Sequence, residues 1–315
     1  MTFVAHADQG DQFPPIDLGQ ILTGWSLEPV PLAAIAVAVG VYLAGVARLR
    51  SRGDAWSAWR TVSFVVGGCG SLVVATASAL ATYDTVLLSM HMAQHMVLSM
   101  LAPVFLALGA PVTLALRTLP RSPRAALLTA LHSRVARVVA FPPVAFTIFV
   151  ASPWVLYFSG WYDATLRSGV LHDLMHLHFV AVGCLFFWPL LGLDPVPGRV
   201  AYPFRMLTVF ATLPFHAFLG VTVMTMDTVI GSAWYYGLNR TWSPSPTEDQ
   251  HIAGGLLWAS GDIVGLVFFA VLFAQWVRTS QREAAREDRR LDLEEEASSA
   301  GSRVSPVRRG TDRDR

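Results

Sequence analysis

The chain contains no lysine and few charged residues of any kind. All 23 basic residues among its 315 are arginine, and charged residues make up only 14% of the sequence. A soluble domain carries about 25% charged residues, so neither a soluble enzyme nor a nucleic-acid-binding protein is expected. The missing lysine also excludes Schiff-base chemistry with retinal or pyridoxal phosphate, and it excludes a Walker-type phosphate loop.

Cysteine is scarce as well. Cys69 and Cys184 are the two thiols, and they fall in the middle of two different apolar runs. Thiols in such positions are expected to be buried packing residues and not partners in a disulfide.

What the sequence has is a series of long apolar runs, in a composition that is 53% hydrophobic. A helix of about 20 apolar residues crosses a bilayer, and lipid tolerates no unpaired backbone polar groups. The chain is therefore predicted to be an all-α membrane protein, a bundle of seven transmembrane helices. The predicted spans are approximately 30–49, 61–82, 85–108, 138–158, 170–192, 204–226 and 252–277.

The arginines predict the orientation of this bundle. Twenty-one of them lie in the first, third and fifth loops and in the tail, whereas the loops on the other side hold only Arg167 and Arg240. Positive residues stay in the cytoplasm, so the N-terminus is predicted to be outside and the C-terminus cytoplasmic. An odd number of spans agrees with this placement of the two termini.

Three regions follow from the same pattern. Residues 1–29 are predicted to be an extracytoplasmic segment without a cleavable signal peptide, and residues 30–277 form the transmembrane domain. Residues 278–315 form a charged cytoplasmic tail. The tail mixes Arg and Glu at helical spacing over 279–297, which predicts a helix followed by a disordered end.

Histidine, methionine and aspartate inside the spans are the candidate functional residues, because ionisable groups in a membrane are costly. His91 and His95 are four residues apart, and a second pair on the fifth span has the same spacing, so each pair shares a helix face. The predicted orientation puts these groups in the outer half of the membrane. The predicted metal ligands are His91, His95, His172, His176, His216, His251, Met92, Met96, Met224 and Met226.

Copper is the metal that this set of side chains favours. Imidazole and thioether are copper ligands, and thioether favours Cu(I). An imidazole that binds a metal through one nitrogen commonly donates its other N–H to a carboxylate. The acids predicted for that supporting role are Asp173, Asp227, Asp249 and Asp262.

Four ordered motifs within residues 25–280 resemble the CtaG-type family of bacterial cytochrome c oxidase assembly factors. They are HMAQHMVLSMLAPVFLALGAP at 91–111, HDLMHLHFVAVGCLFFWPLLGLDP at 172–195, LPFHAFLGVTVM at 213–224 and DQHIAGGLLW at 249–258. The resemblance implies a multi-pass protein of the bacterial plasma membrane that assembles an aa-type cytochrome c oxidase and supports its copper supply. It also implies oxidase subunits or other assembly factors as partners. The sequence contains no hydrolase or phosphate-binding motif, so enzymatic activity is not expected.

Three other interpretations remain open at this stage. The polar residues can form a structural network between helices. A haem-binding or electron-transfer protein would use His pairs as axial ligands, but those face each other across a bundle. An ion or proton transporter would use His95, His216 and Asp262 as a relay near the middle of the membrane.

Overall fold

The computed structural model describes the backbone of residues 13–195 and 201–303 and the side chains as far as Glu296. Arg199 and most of the N-terminal segment lie outside these residues. Residues 304–315 of the predicted disordered end lie outside them as well. Within them every regular element is a helix, as the apolar runs predict. The helices are α1 Leu18–Thr23, α2 Pro29–Ser51, α3 Ala58–Tyr83, α4 Leu88–Leu108, α5 Pro111–Thr118, α6 Arg121–Leu131, α7 Arg134–Val139, α8 Pro142–Tyr157, α9 Trp161–Arg167, α10 Gly169–Leu191, α11 Tyr202–Thr225, α12 Ser232–Gly237 and α13 Pro246–Arg303.

Six of the described helices are long and apolar enough to cross a membrane: α2, α3, α4, α10, α11 and α13. Each coincides with one of the predicted spans to within a few residues at its start. The break after α4 is also where the sequence predicts it, because Ala110 takes a left-handed conformation with φ 48° and α5 begins at Pro111. A proline at the first position of a helix is favoured, since its missing N–H would have no partner there.

The fourth predicted span differs from a straight helix over 138–158. α8 has only 16 residues, and it reaches the length of a span only together with α9, from which it is bent by 67°. The structure therefore supports six spans, or seven if this bent pair counts as one. The turn is at Phe158–Gly160, where the backbone leaves the helical path after Tyr157 and Gly160 precedes the first residue of α9.

α4 is the central helix of the bundle. Two thirds (67%) of its apolar window is buried inside the protein, against 17% for α2. It packs against α3 on one side and against α10 on another. A π-helical stretch over Val97–Leu101 begins two residues after His95, and such stretches are frequent near functional side chains.

A glycine allows α10 to approach α4 closely. A Cβ at Gly183 would lie 2.1 Å from the carbonyl oxygen of Ser99 and 2.6 Å from the Pro103 ring. Only hydrogen fits there, so the two backbones touch, as is typical of helix packing in membranes. This contact fixes the height of α10 against α4.

A carboxylate from α13 holds the beginning of α4. Asp249 accepts hydrogen bonds from the backbone N–H of Leu88 at 2.6 Å and of Ser89 at 3.4 Å, and the Ser89 hydroxyl donates to it as well. The first N–H groups of a helix have no partner within that helix, so this carboxylate caps α4 from a helix 160 residues away. The cap ties α13 to the end of α4 that carries His91.

The chain divides into two compact units, Met1–Phe269 and Ala270–Arg315. In the second unit the described residues continue α13, and Arg290 lies 3.5 Å from Glu287 and donates to Glu294 at 3.0 Å. The predicted tail helix over 279–297 lies within α13.

Candidate functional site

Asp84, His172 and His176 form a cluster in which one atom of each could bind a metal ion. His172 Nε2 donates to Asp84 Oδ2 at 2.8 Å, and His176 Nε2 lies 3.8 Å from the same oxygen. The three ligand atoms all lie within 4.8 Å of one another. Asp84 belongs to the short connection between α3 and α4, and both histidines lie in the first two turns of α10. The cluster therefore sits at the end of the bundle where α4 and α10 begin.

The spacing along α10 explains why both imidazoles reach the same carboxylate. Residues four apart on a helix stack on one face, and the rings of His172 and His176 are 4.5 Å apart, centre to centre. Asp84 and His172 are buried, and His176 is partly buried. A buried carboxylate needs compensating partners, and these two imidazoles provide them.

A second pair of histidines lies deeper on α4 and shares one tyrosine. The Tyr157 hydroxyl is 3.1 Å from His91 Nε2 and 2.7 Å from His95 Nδ1, so it can donate to one imidazole and accept from the other. His91 also connects the two groups, because its ring centre is 6.2 Å from that of His172. A line of polar side chains thus runs from Asp84 inward to His95.

Aromatic side chains close this line on one side. The Tyr162 ring lies 5.0 Å from the His91 ring, and its hydroxyl is 2.6 Å from the hydroxyl of Tyr235 on α12. Burial raises the pKa of Tyr235, so its hydroxyl stays protonated and remains a hydrogen-bond partner over the physiological pH range. The Phe179 ring stacks on His95 at 3.9 Å.

Several imidazole nitrogens in this region are buried and have no hydrogen-bond partner among the described residues. They are His91 Nδ1, His172 Nδ1 and His176 Nε2. A buried polar atom without a partner is costly, and native proteins retain few of them. His176 Nε2 is the nitrogen that faces Asp84, so this unpaired atom belongs to the possible metal site.

His216 and the α11 methionines lie apart from the cluster. His216 Nδ1 is 3.2 Å from the Thr212 carbonyl, and its ring packs beside Phe149 and against Gly261. Met224 packs against Gly254 of α13, and Met226 is partly buried just after α11. Met92 and Met96 are buried on α4.

Among the described residues, none of the four acids predicted to support the ligands forms a hydrogen bond with an imidazole of the cluster. Asp249 caps α4 instead, and Asp262 accepts a hydrogen bond from Trp258 Nε1 at 2.8 Å. Asp173, Asp227 and the predicted ligand His251 are exposed on the surface of the protein. The carboxylate that contacts the histidines is Asp84.

Sequence reasoning missed Asp84 and Tyr157. Asp84 falls in the two-residue gap between the second and third predicted spans, so a survey of acids within spans passes over it. Its predicted position relative to the membrane could have identified it, because this gap lies on the same predicted side of the membrane as the first turn of α10. Tyr157 lies in an apolar run, where a tyrosine resembles a packing residue.

The arrangement could hold a metal ion. Two imidazole nitrogens and one carboxylate oxygen converge, a donor set that binds divalent transition metals. Three protein ligands leave a coordination position open, as in sites that exchange ligands.

Replacing Tyr157 by phenylalanine tests the shared hydrogen bonds. Tyr157→Phe leaves His91 Nε2 and His95 Nδ1 without this hydroxyl inside the bundle, which should cost about 1–3 kcal/mol for each unsatisfied group. The thermal unfolding midpoint of the detergent-solubilised protein should fall clearly. Tyr236→Phe is the control, because Tyr236 is exposed and should leave the midpoint unchanged. Equal midpoints for the two variants would contradict the proposed role of the hydroxyl.

The curated relatives that match the chain are mycobacterial proteins. Uncharacterized proteins of Mycobacterium bovis and Mycobacterium tuberculosis are each 41% identical to the chain over 286 residues, which cover 88% of it but 43% of the relative. One of Mycobacterium leprae is 38% identical over the same length. The chain thus spans less than half the length of these curated relatives.

No solved structure matches the chain. The family model of the cytochrome c oxidase caa3 assembly factor matches residues 40–279, a stretch that includes every residue of the cluster. Because this match covers well over half of the sequence, the chain belongs to the cytochrome c oxidase caa3 assembly factor family.

Proposed function

We propose that the chain supports copper delivery to an aa-type cytochrome c oxidase during assembly, through a His/Met cluster that faces outward. Family membership supports the role in oxidase assembly. The observation that supports metal binding is the convergence of Asp84, His172 and His176, with His91 beside them. The partners are oxidase subunits or other assembly factors in the same membrane, and the role requires no catalysis.

Copper fits the donor types at this end of the bundle. Imidazole nitrogens bind copper well, and copper(II) forms the most stable complexes among the divalent first-row metals. Met92 and Met96 lie on α4 next to His91 and His95, and thioether sulfur is a ligand for Cu(I). The chain has only two cysteines, one on α3 and one on α10, so transfer depends on histidine and methionine.

The proposed location is the bacterial plasma membrane with the N-terminus outside. Mycobacterial relatives and six apolar helices support a multi-pass protein of that membrane. The excess of arginine in the odd loops and the tail supports an outward position for the other end of the bundle. In this orientation Asp84 and the start of α10 face outward.

Labelling of single cysteines tests this orientation. Ser57→Cys lies in the first loop and Ser232→Cys at the start of α12, and both positions are exposed. A membrane-impermeant maleimide should label position 232 in intact cells and position 57 only after the cells are permeabilised. The unmodified chain controls for Cys69 and Cys184. The reverse labelling pattern would contradict the orientation.

Complementation of a deletion strain tests the function. The strain is rescued with the wild-type chain, with the His172→Gln/His176→Gln double variant, or with His132→Gln as a control at an exposed position beyond α6. Oxidase activity and the copper content of the purified oxidase should drop roughly tenfold in the double variant and stay normal in the control. An oxidase with full copper content in the double-variant strain would contradict the proposal, provided that the variant protein is present in the membrane.

A further inference from the structure

We propose that Asp84, His172 and His176 bind a divalent transition-metal ion, with Cu²⁺ preferred, and that this ion is the form in which the protein receives copper. The inference rests on the proposed function and deepens it, because it names the ligands and the charge of the cargo. It also differs from the thioether-based Cu(I) site that the methionines suggest.

The spacing of the three ligand atoms suits one ion. Two adjacent ligands about 2.0 Å from a metal are about 2.8 Å apart in the square-planar geometry typical of Cu²⁺ and about 3.3 Å apart in a tetrahedral site. Asp84 Oδ2 lies 2.8 Å from one imidazole nitrogen and 3.8 Å from the other, a range that includes both spacings. Small side-chain shifts would bring all three atoms into coordination. The ion would then occupy the position of the proton that His172 Nε2 now donates to the carboxylate.

His176 Nε2 gives independent support. It is buried, it faces Asp84, and it has no hydrogen-bond partner among the described residues. His172 donates a hydrogen bond to the carboxylate even without a metal, whereas His176 Nε2 lies 3.8 Å from it, too far for a hydrogen bond. A bound ion would give this nitrogen a partner.

The donor types favour a divalent ion. A carboxylate is a hard ligand and imidazole is intermediate, whereas Cu(I) prefers thiolate and thioether. Among divalent first-row ions Cu²⁺ binds such sites most tightly, with Zn²⁺ the main competitor. The open fourth position allows a donor from a partner to enter and take the ion away.

Metal titration of the purified full-length chain in detergent tests the site. Cu²⁺ is titrated in competition with a chelator, and Cu(I) is titrated separately under reducing conditions. Asp84→Asn removes the anionic ligand and His176→Gln removes the unpaired nitrogen. His178→Gln is the matched control, because His178 lies two residues along α10, is exposed, and bonds with Ser152. Each ligand variant should raise the Kd for Cu²⁺ by roughly tenfold or more, and the control should not change it.

Electron paramagnetic resonance of the Cu²⁺ protein provides a second readout. The wild-type spectrum should show nitrogen coupling from two imidazoles, and His176→Gln should reduce it to one. His176→Gln also guards against misfolding, because His176 Nε2 makes no hydrogen bond that folding requires. Its thermal unfolding midpoint without metal should match that of the wild type.

Two results would overturn the site. One is a Cu²⁺ affinity that Asp84→Asn and His176→Gln leave unchanged. The other is tight binding of Cu(I) alone, with no measurable affinity for Cu²⁺. Either leaves the assembly role standing if the oxidase still loses copper in the deletion strain. Conversely, normal oxidase copper in that strain overturns the role while Cu²⁺ binding in vitro supports the site.

Discussion

The buried Asp84 carboxylate is the group on which the site depends. It is 5% exposed, and a charge in such a place is tolerated only when polar partners compensate it. Its partners are two imidazoles one turn apart on α10, so their positions relative to α4 must be held closely. The contact between Gly183 and the Ser99 carbonyl sets the height of α10, and the Asp249 cap holds the start of α4. Both contacts lie outside the cluster, yet both determine its geometry.

The inner part of the polar line has a different character. His91 and His95 meet at the Tyr157 hydroxyl, and Phe179 stacks against His95, so these rings are fixed by packing and hydrogen bonds. The outer cluster, in contrast, includes a nitrogen without a partner. On the proposed function, the fixed inner rings would keep the ligands in place while the cluster of Asp84, His172 and His176 binds and releases the ion.

The sequence predicts the helices and the pairing of histidines well, because both follow from local periodicity. The spacing of His172 and His176 places their rings side by side, as the structure has them. The contacts that complete the site join residues far apart in the chain. Asp84 and His172 are 88 residues apart, and Asp249 caps a helix 160 residues away. No local pattern encodes these pairings, so Asp249 was predicted to support a ligand when its carboxylate instead caps α4.

The sequence does not predict the bend between α8 and α9 either. The run over 138–158 has the length and composition of a straight span, and the turn after Tyr157 depends on how α9 packs against α10. That bend places Tyr162 beside His91 and brings its hydroxyl to Tyr235. A tertiary feature that periodicity cannot predict therefore forms one wall of the site.

X-ray absorption spectroscopy of the copper-loaded full-length protein tests the metal site most directly. Coordination by Asp84, His172 and His176 predicts a first shell of nitrogen and oxygen at about 2.0 Å with the outer scattering of two imidazoles, and no sulfur at about 2.3 Å. A first shell dominated by sulfur would place the copper on the methionines and contradict the site.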